Sequence, residues 1–332
     1  MHIDAYTTRH TRRDRHPWLR MTIPVSALGL ALGVAAACGD DRVTDPITPS
    51  ISASVASSGR YPDGRIVFVA NPAVADGEPA RGAAVHVMNP DGTGLARLTP
   101  YGSFHAPAWS PDRKRIAFAD EESGMIGVMN ANGRNLRWVV TGSHPTWSPD
   151  GQQIAFSRSA GLEKSDLYVM NADGSNVFRR MHSDNLAAVE PSWSPDGKWL
   201  AFVGIRTGRE IFVMPADGGV PRQLTACEAE GVGCRAPEWG PRADSLLLAY
   251  VAQSPTVVQF RILDTGAKET TSVAADSPGV SGPTWSPDGK SLLFGSQRVT
   301  SGRQALFSVD IATGIVQRRS FLGVGEHDPS WR

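Results

Sequence analysis

Short apolar runs alternate with turn residues along most of the chain. Runs such as Arg115–Phe118 and Leu200–Phe202 place apolar side chains in succession, and each is followed by a second run, such as Ile126–Met129. Clusters of proline, aspartate, asparagine and glycine separate the runs. This pattern predicts buried strands joined by tight hairpins, and it favours many short strands over long helices.

A tryptophan-centred motif repeats along the chain, most completely as Trp-Ser-Pro-Asp-Gly. Successive tryptophans are 38, 46, 46, 46 and 46 residues apart. A period of this length indicates a propeller or a solenoid, in which each unit buries its two faces against its neighbours. Because an aromatic side chain of this size buries about 150–250 Å², we expect the tryptophans to be core residues. They are Trp109, Trp147, Trp193, Trp239, Trp285 and Trp331.

The number of units follows from the length of the repeating region. Residues 61–332 are 272 residues, and 272/46 is about 5.9. The first unit opens with the proline turn Tyr61–Gly64 but lacks the tryptophan strand before it, and Glu326–Trp331 supplies that strand from the other end of the chain. The sequence therefore predicts an all-β, six-bladed β-propeller of four-stranded antiparallel blades, closed by the C-terminal strand in blade 1.

The motifs carry a family resemblance. The Trp-Ser-Pro-Asp-Gly turn, the strand Ile154–Phe156 and the hairpin Tyr168–Gly174 together resemble the TolB-like β-propeller repeat, across residues 61–332. Similar repeats occur in the propellers of prolyl-oligopeptidase-type peptidases. The chain has no Gly-x-Ser-x-Gly nucleophile elbow, so we do not expect peptidase activity.

The first sixty residues read as a targeting segment. Five arginines in residues 1–20 precede the apolar stretch Ile23–Ala37, which is shorter than the about 20 residues that a membrane-spanning helix needs. Ala35–Cys38 then resembles a bacterial lipobox. We predict a signal peptide over 1–37, a lipidated Cys38 with a flexible tether over 38–60, and the propeller over 61–332. The alternative is a plain secretory signal with an accidental cysteine.

This targeting prediction places the protein in the cell envelope, anchored in a lipid bilayer and facing the periplasm or the exterior. Composition agrees with a globular body, since 41% of residues are hydrophobic. The 33 basic and 33 acidic residues cancel, so no basic field for nucleic acid is expected. Of three cysteines, Cys227 and Cys234 lie close in sequence, and export to an oxidising compartment predicts a disulfide between them. Free thiols or a partial metal site are the alternatives.

Candidate chemistry gathers where the tryptophan strands are expected to line the central channel. In propellers of this type those strands are innermost, so the residues three and four places before each tryptophan should surround one channel mouth. Three imidazoles there, with carboxylate oxygen beside them, would suit a divalent metal such as zinc, manganese or nickel. The alternative is that these side chains only hydrate a water-filled channel. The candidates are His105, His144, His327, Glu190, Asp328 and Arg235.

The sequence thus predicts a lipid-anchored envelope propeller that acts as a non-catalytic scaffold, with no catalytic residue and no required cofactor. Its expected partner is an envelope protein or a peptide segment, held at the channel mouth or on the segments Asn71–Arg81 and Thr225–Arg235. Long loops on a rigid frame are common binding elements. The alternative is a metal-dependent enzyme resembling polysaccharide lyases, or a small-ligand sensor, that uses the channel-mouth histidines.

Overall fold

Six four-stranded antiparallel sheets make up the described part of the chain. The computed structural model describes residues 64–71, 82–159, 164–181, 185–276, 279–297, 304–320 and 325–332. The predicted signal peptide, Cys38, the tether and residues 72–81 of the first-blade insert lie outside these ranges. Among the described residues, the one helical element is a 3-10 turn at Glu228–Glu230, and no helix has the length and apolar character needed to cross a membrane.

The strands, in chain order, give one blade per repeat. Blade 1 holds β1 (Ile66–Ala70), β2 (Ala84–Met88) and β3 (Ala96–Arg97) together with the last strand, β24 (Glu326–Trp331). Blade 2 holds β4 (Phe104–Trp109), β5 (Arg115–Asp120), β6 (Met125–Asn130) and β7 (Arg137–Thr141). Blade 3 holds β8 (Ser143–Trp147), β9 (Gln153–Ser159), β10 (Ser165–Asn171) and β11 (Phe178–Arg179). Blade 4 holds β12 (Ala187–Trp193), β13 (Trp199–Ile205), β14 (Arg209–Pro215) and β15 (Arg222–Gln223). Blade 5 holds β16 (Gly233–Trp239), β17 (Leu247–Gln253), β18 (Val258–Asp264) and β19 (Glu269–Asp276). Blade 6 holds β20 (Thr284–Trp285), β21 (Ser291–Ser296), β22 (Ala305–Asp310) and β23 (Val316–Arg318).

The two ends of the propeller meet in blade 1. β24 pairs antiparallel with β1, so that Trp331 lies opposite Ile66. The pairing continues one residue further, because Arg65 and Arg332 exchange backbone hydrogen bonds of 2.5 and 3.1 Å. The predicted six-bladed fold and its closure by the C-terminal strand are confirmed.

Each complete Ser-Pro-Asp turn is held by the same small network. In blade 3, Ser148 Oγ donates to Asp150 Oδ1 at 2.6 Å, and Asp150 Oδ1 also accepts from the backbone N–H of Gln152 at 3.0 Å. The backbone N–H of Gln153, the first residue of the next strand, donates to Ser148 Oγ at 2.9 Å. These hydrogen bonds hold the pKa of Asp150 below its ordinary value. The serine and aspartate therefore fix the hairpin, which explains why the motif recurs.

The hydrophobic core is divided among the six junctions between blades. At the junction that closes the propeller, Ile66 and Phe68 of blade 1 pack with Leu293 and Leu306 of blade 6. Comparable clusters fill the other five junctions. Five of the six motif tryptophans are buried, and Trp193 is half-buried. The predicted core role of the tryptophans is thereby confirmed, and no blade buries its faces alone.

Candidate functional site

A backbone distortion recurs just before each motif tryptophan. Counting back from the tryptophan as position −1, −2, −3 and −4, every blade has proline at −2: Pro107, Pro145, Pro191, Pro237, Pro283 and Pro329. Proline has no N–H to donate, and the pairing register slips at this point in blades 1 to 5. The residue at −3 has a left-handed φ of 48–55° in those five blades, and Gly282 occupies the place in blade 6. Such a bulge re-aims the neighbouring side chains.

The −3 residues of all six blades, five of them on bulges, line one axial cavity of about 250 Å³. His144, Glu190 and Asp328 are its polar members at this position. Ala106, Ala236 and Gly282 complete the circle with small side chains or none. The six prolines at −2 also line this cavity and form the apolar part of its wall. At position −3 the mouth is therefore polar in three of its six blades.

The expectation that both positions −3 and −4 surround the axis requires a correction. Position −4 contributes Arg235 to the axial cavity, whereas His105 and Ser143 line a separate cleft of about 640 Å³ between blades 2 and 3. We call this second space the side cleft. Consecutive residues of a strand face opposite sides, so in blades 2 and 3 position −4 lies away from the axis. In blade 5 both Arg235 and Ala236 line the axial cavity. His144 lines both spaces.

The two acidic side chains of the mouth each bind the backbone of the next blade. Glu190 Oε2 accepts from the N–H of Ala236 at 2.6 Å, and Asp328 Oδ2 accepts from the N–H of Ala106 at 3.3 Å. Both donors are −3 residues on bulges. The carboxylates thus join adjacent blades and are fixed in orientation before any ligand arrives.

Charge at the mouth is divided between two sides. On one side Arg209 Nη1 lies 3.9 Å from Glu190 Oε1, and Arg235 donates to Gln253 Oε1 at 2.9 Å and to the carbonyl of Val280 at 2.8 Å. Burial lowers the pKa of Arg235, against the raising effect of nearby Glu190. A guanidinium remains charged in proteins. This side of the mouth therefore presents fixed charges of both signs.

On the other side of the mouth, Asp328 and His144 each contact a histidine at position −4 that does not line the axial cavity. His327 Nδ1 lies 3.3 Å from Asp328 Oδ2. Burial raises the pKa of Asp328, but the hydrogen bond and charge of His327 outweigh it and hold that pKa below its ordinary value. His105 and His144 face each other with ring centres 5.4 Å apart. Burial, followed by the neighbouring His144, lowers the pKa of His105.

The structure brings the predicted metal ligands into two pairs. His105 meets His144, and His327 meets Asp328. Within the described ranges, the mouth residues do not supply three ligand atoms within 4.8 Å of one another, and the one group that does is Glu210 with Cys227 and Cys234. The metal site remains a prediction.

The segment Thr225–Arg235 is folded against Glu210, a buried residue that sequence reasoning did not single out. Its carboxylate accepts from Thr225 Oγ1 at 2.5 Å and from the N–H groups of Cys227 and Glu228 at 2.8 and 2.7 Å. The Cα atoms of Cys227 and Cys234 are 5.9 Å apart, a separation that suits a disulfide. The segment ends at Arg235, which lines the axial cavity, so Glu210 orders the stretch of chain that leads into the mouth.

Glu238 is a second residue that the sequence analysis missed. It occupies position −1, where the other blades carry alanine, serine or threonine, and it lies at the level shared by the axial cavity and a further cavity of about 360 Å³ below it. Burial raises its pKa to about 7, although Arg332 and a hydrogen bond from Ser192 Oγ at 3.3 Å oppose the rise. The sequence could have revealed Glu238, because it is the one charged residue at a repeat position where the other blades carry small, uncharged residues.

The sequence profile of the TolB beta propeller domain matches residues 56–248. The chain belongs to the TolB β-propeller family. A direct search among curated proteins found none that matches. Among solved structures, the TolB-family propeller described here is similar to TolB from Acinetobacter baumannii, with 21% identity and a TM-score of 0.70. That match covers 81% of this chain and 66% of the Acinetobacter protein, just under two thirds of its length.

Two further structures show how widely the architecture is used. Hydrazine synthase of Kuenenia stuttgartiensis matches with 16% identity and a TM-score of 0.62, over 82% of this chain and 47% of that one. Oligogalacturonate lyase of Vibrio parahaemolyticus matches with 14% identity and a TM-score of 0.50, over 72% and 71%. At these identities the likeness is one of fold, and one fold hosts many activities.

Proposed function

We propose that this TolB-family chain is a lipid-anchored, non-catalytic scaffold of the cell envelope that binds a protein or peptide segment at the channel mouth. The observation that carries the proposal is the preorganised rim of the axial cavity. Glu190, Asp328 and Arg235 are each held by hydrogen bonds before a partner binds. A site whose polar groups are already ordered loses less conformational entropy on binding.

The segment Thr225–Arg235 supports the same proposal. Its backbone is anchored by Glu210, and two of its exposed acids contact the two blades that the segment connects: Glu228 accepts from Thr207 Oγ1 at 2.9 Å in blade 4, and Glu230 pairs with Arg261 at 2.7 Å in blade 5. An ordered segment next to a polar cavity enlarges the surface that a partner can contact. The expected partner is an envelope protein or an extended segment of one.

Affinity purification of the full lipidated chain from solubilised membranes tests partner binding. We expect Arg235→Ala to lower the recovery of a co-purifying protein at least tenfold. Arg242→Ala is the matched control, because Arg242 is exposed in the turn at the opposite end of the same strand. Equal recovery with both variants, at unchanged thermal stability, would remove the mouth as the binding site.

Lipid anchoring through Cys38 is tested separately. Cys38→Ser should move the protein from the membrane to the soluble fraction and remove the mass of the lipid from the mature chain. Membrane association that persists in this variant would contradict the anchor. The alternative function, a lyase-like enzyme or small-ligand sensor, is tested by incubating purified protein with pectic oligomers and following ultraviolet absorbance for new unsaturated products.

A further inference from the structure

Two imidazoles from different blades meet at the edge of the side cleft. His105 stands at position −4 of blade 2 and His144 at position −3 of blade 3. Their ring centres are 5.4 Å apart, with the planes inclined at 63°. His144 has a left-handed φ of 52°, so the bulge of blade 3 is what turns this side chain toward its neighbour.

The ring of His144 is oriented by a hydrogen-bonded pair of serine hydroxyls. His144 Nδ1 lies 3.2 Å from Ser143 Oγ, which in turn lies 3.1 Å from Ser157 Oγ. This leaves Nε2 of His144 available. Metal-binding histidines commonly use one ring nitrogen for the ion and fix the other in this way. His105 makes no hydrogen bond to the described part of the chain, so both of its nitrogens are available.

The separation of the rings agrees with a shared tetrahedral ion. With metal–nitrogen bonds of about 2.0–2.1 Å, an ion lies roughly 3.2 Å from each ring centre, and a tetrahedral angle then places the centres about 5.2 Å apart. The observed 5.4 Å is close to this value.

The side cleft also offers oxygen ligands. Asp120 and Glu121 line it together with the two histidines, although neither carboxylate forms, with both imidazoles, a group of ligand atoms within 4.8 Å of one another, so a carboxylate would have to move to reach a shared ion. Asp120 Oδ2 accepts from the N–H and hydroxyl of Ser123 at 3.2 and 2.6 Å, and Oδ1 has no such contact. The cleft's guanidinium, Arg158, is occupied elsewhere, since Nε donates to the carbonyl of Thr141 at 2.9 Å and the group stacks over Tyr168.

We propose that His105 and His144 bind a divalent transition metal in the side cleft, with zinc as the first candidate and a carboxylate of Asp120 or Glu121 and water as the remaining ligands. Imidazole with carboxylate is a donor set that zinc accepts. The proposal does not require a protein partner, and it assigns no role to His327, which pairs with Asp328 instead. The ion would stand beside the mouth, because His144 lines both spaces.

Calorimetric titration of the untagged full chain with zinc chloride, after chelator treatment, tests the site. We expect one ion per chain in the wild type. His105→Gln and His144→Gln should each weaken binding at least tenfold, and His327→Gln should leave it unchanged. Thermal melting establishes that each variant is folded. With Co²⁺ in place of Zn²⁺, the wild type should show the intense visible absorption of a four-coordinate ion, and the two cleft variants should lose it.

Three results would overturn the proposal. They are the absence of zinc binding in the wild type, unchanged binding in either cleft variant, and a loss of binding in His327→Gln equal to that in the cleft variants. The last result would instead support the prediction from sequence that His327 joins His105 and His144 in one site at the channel mouth.

Discussion

The backbone N–H of Trp109 donates to Ser330 Oγ at 3.3 Å and so joins blade 2 to the C-terminal strand. The same link recurs where Trp239 donates to Ser192 Oγ at 3.2 Å and where Trp331 donates to Thr284 Oγ1 at 3.3 Å. In each case the hydroxyl at position −1 of one blade accepts from the tryptophan of the next. The innermost strands are therefore connected to one another as well as to their own sheets.

Closure of the propeller by the C-terminal strand should make its thermal unfolding cooperative. Deletion of residues 325–332 removes β24 and exposes the apolar surface of Ile66 and Phe68, so we expect a large fall in melting temperature and a broadened transition by circular dichroism. Ser330→Ala is the control, because it removes one hydrogen bond and should cost about 1 kcal/mol. An unchanged melting curve after the deletion would contradict the closure.

The carboxylate of Glu210 should be essential to the segment Thr225–Arg235. Glu210→Ala leaves three donors without their acceptor, and we expect a loss of about 2–4 kcal/mol in the free energy of unfolding. Glu230→Ala, in the same segment, removes only a partly exposed ion pair and should cost less than about 1 kcal/mol. Urea unfolding of the two variants measures the difference, and equal effects would argue against the anchoring role.

Cys227 and Cys234 are predicted to form a disulfide. A thiol assay on denatured, unreduced protein should find neither of them free. Replacing both with serine should lower the free energy of unfolding by about 2 kcal/mol, the entropy expected from closing so short a loop. Detection of both thiols in the unreduced protein would contradict the bridge.

Glu238 should make stability depend on pH in an unusual direction. Its pKa of about 7 in the folded protein lies above the ordinary 4.5, so the folded state favours the protonated form and loses stability as pH rises through 7. Each pKa unit corresponds to about 1.4 kcal/mol, and channel water screens part of this for a half-buried group. We therefore expect Glu238→Gln to be about 1–2 kcal/mol more stable than wild type at pH 8 and nearly equal near pH 4.5.

Chemical unfolding at the two pH values checks this prediction. Glu121→Gln, which alters an exposed carboxylate outside the channel, serves as the control and should show no such pH-dependent difference. A Glu238→Gln variant that is no more stable than wild type at pH 8 would mean that burial does not raise the pKa of Glu238 in the folded protein.

The six-bladed architecture could be predicted from the sequence, because the repeat spacing, the turn motifs and the tryptophan strand at the C-terminus are all local patterns. The arrangement of the mouth was harder to predict. Whether His105 points to the axis or to a cleft depends on a bulge, and a bulge reverses the facing of a side chain without changing the spacing. The recurrent proline at −2 was the visible signal, since it interrupts strand pairing in the same place in every repeat. Glu210 had no local signal, because its partners lie in a segment at least 15 residues away.

Position-specific photo-crosslinking tests the central claim, that the channel mouth is the face that binds a partner. A photoreactive residue placed at Ala106, which lines the mouth and leaves Arg235 intact, should form a covalent adduct with the same envelope protein that co-purifies with the wild-type chain. The same residue at Arg242, at the opposite end of β16, should form none. Adducts at Arg242 alone, or equal adducts at both positions, would contradict the account.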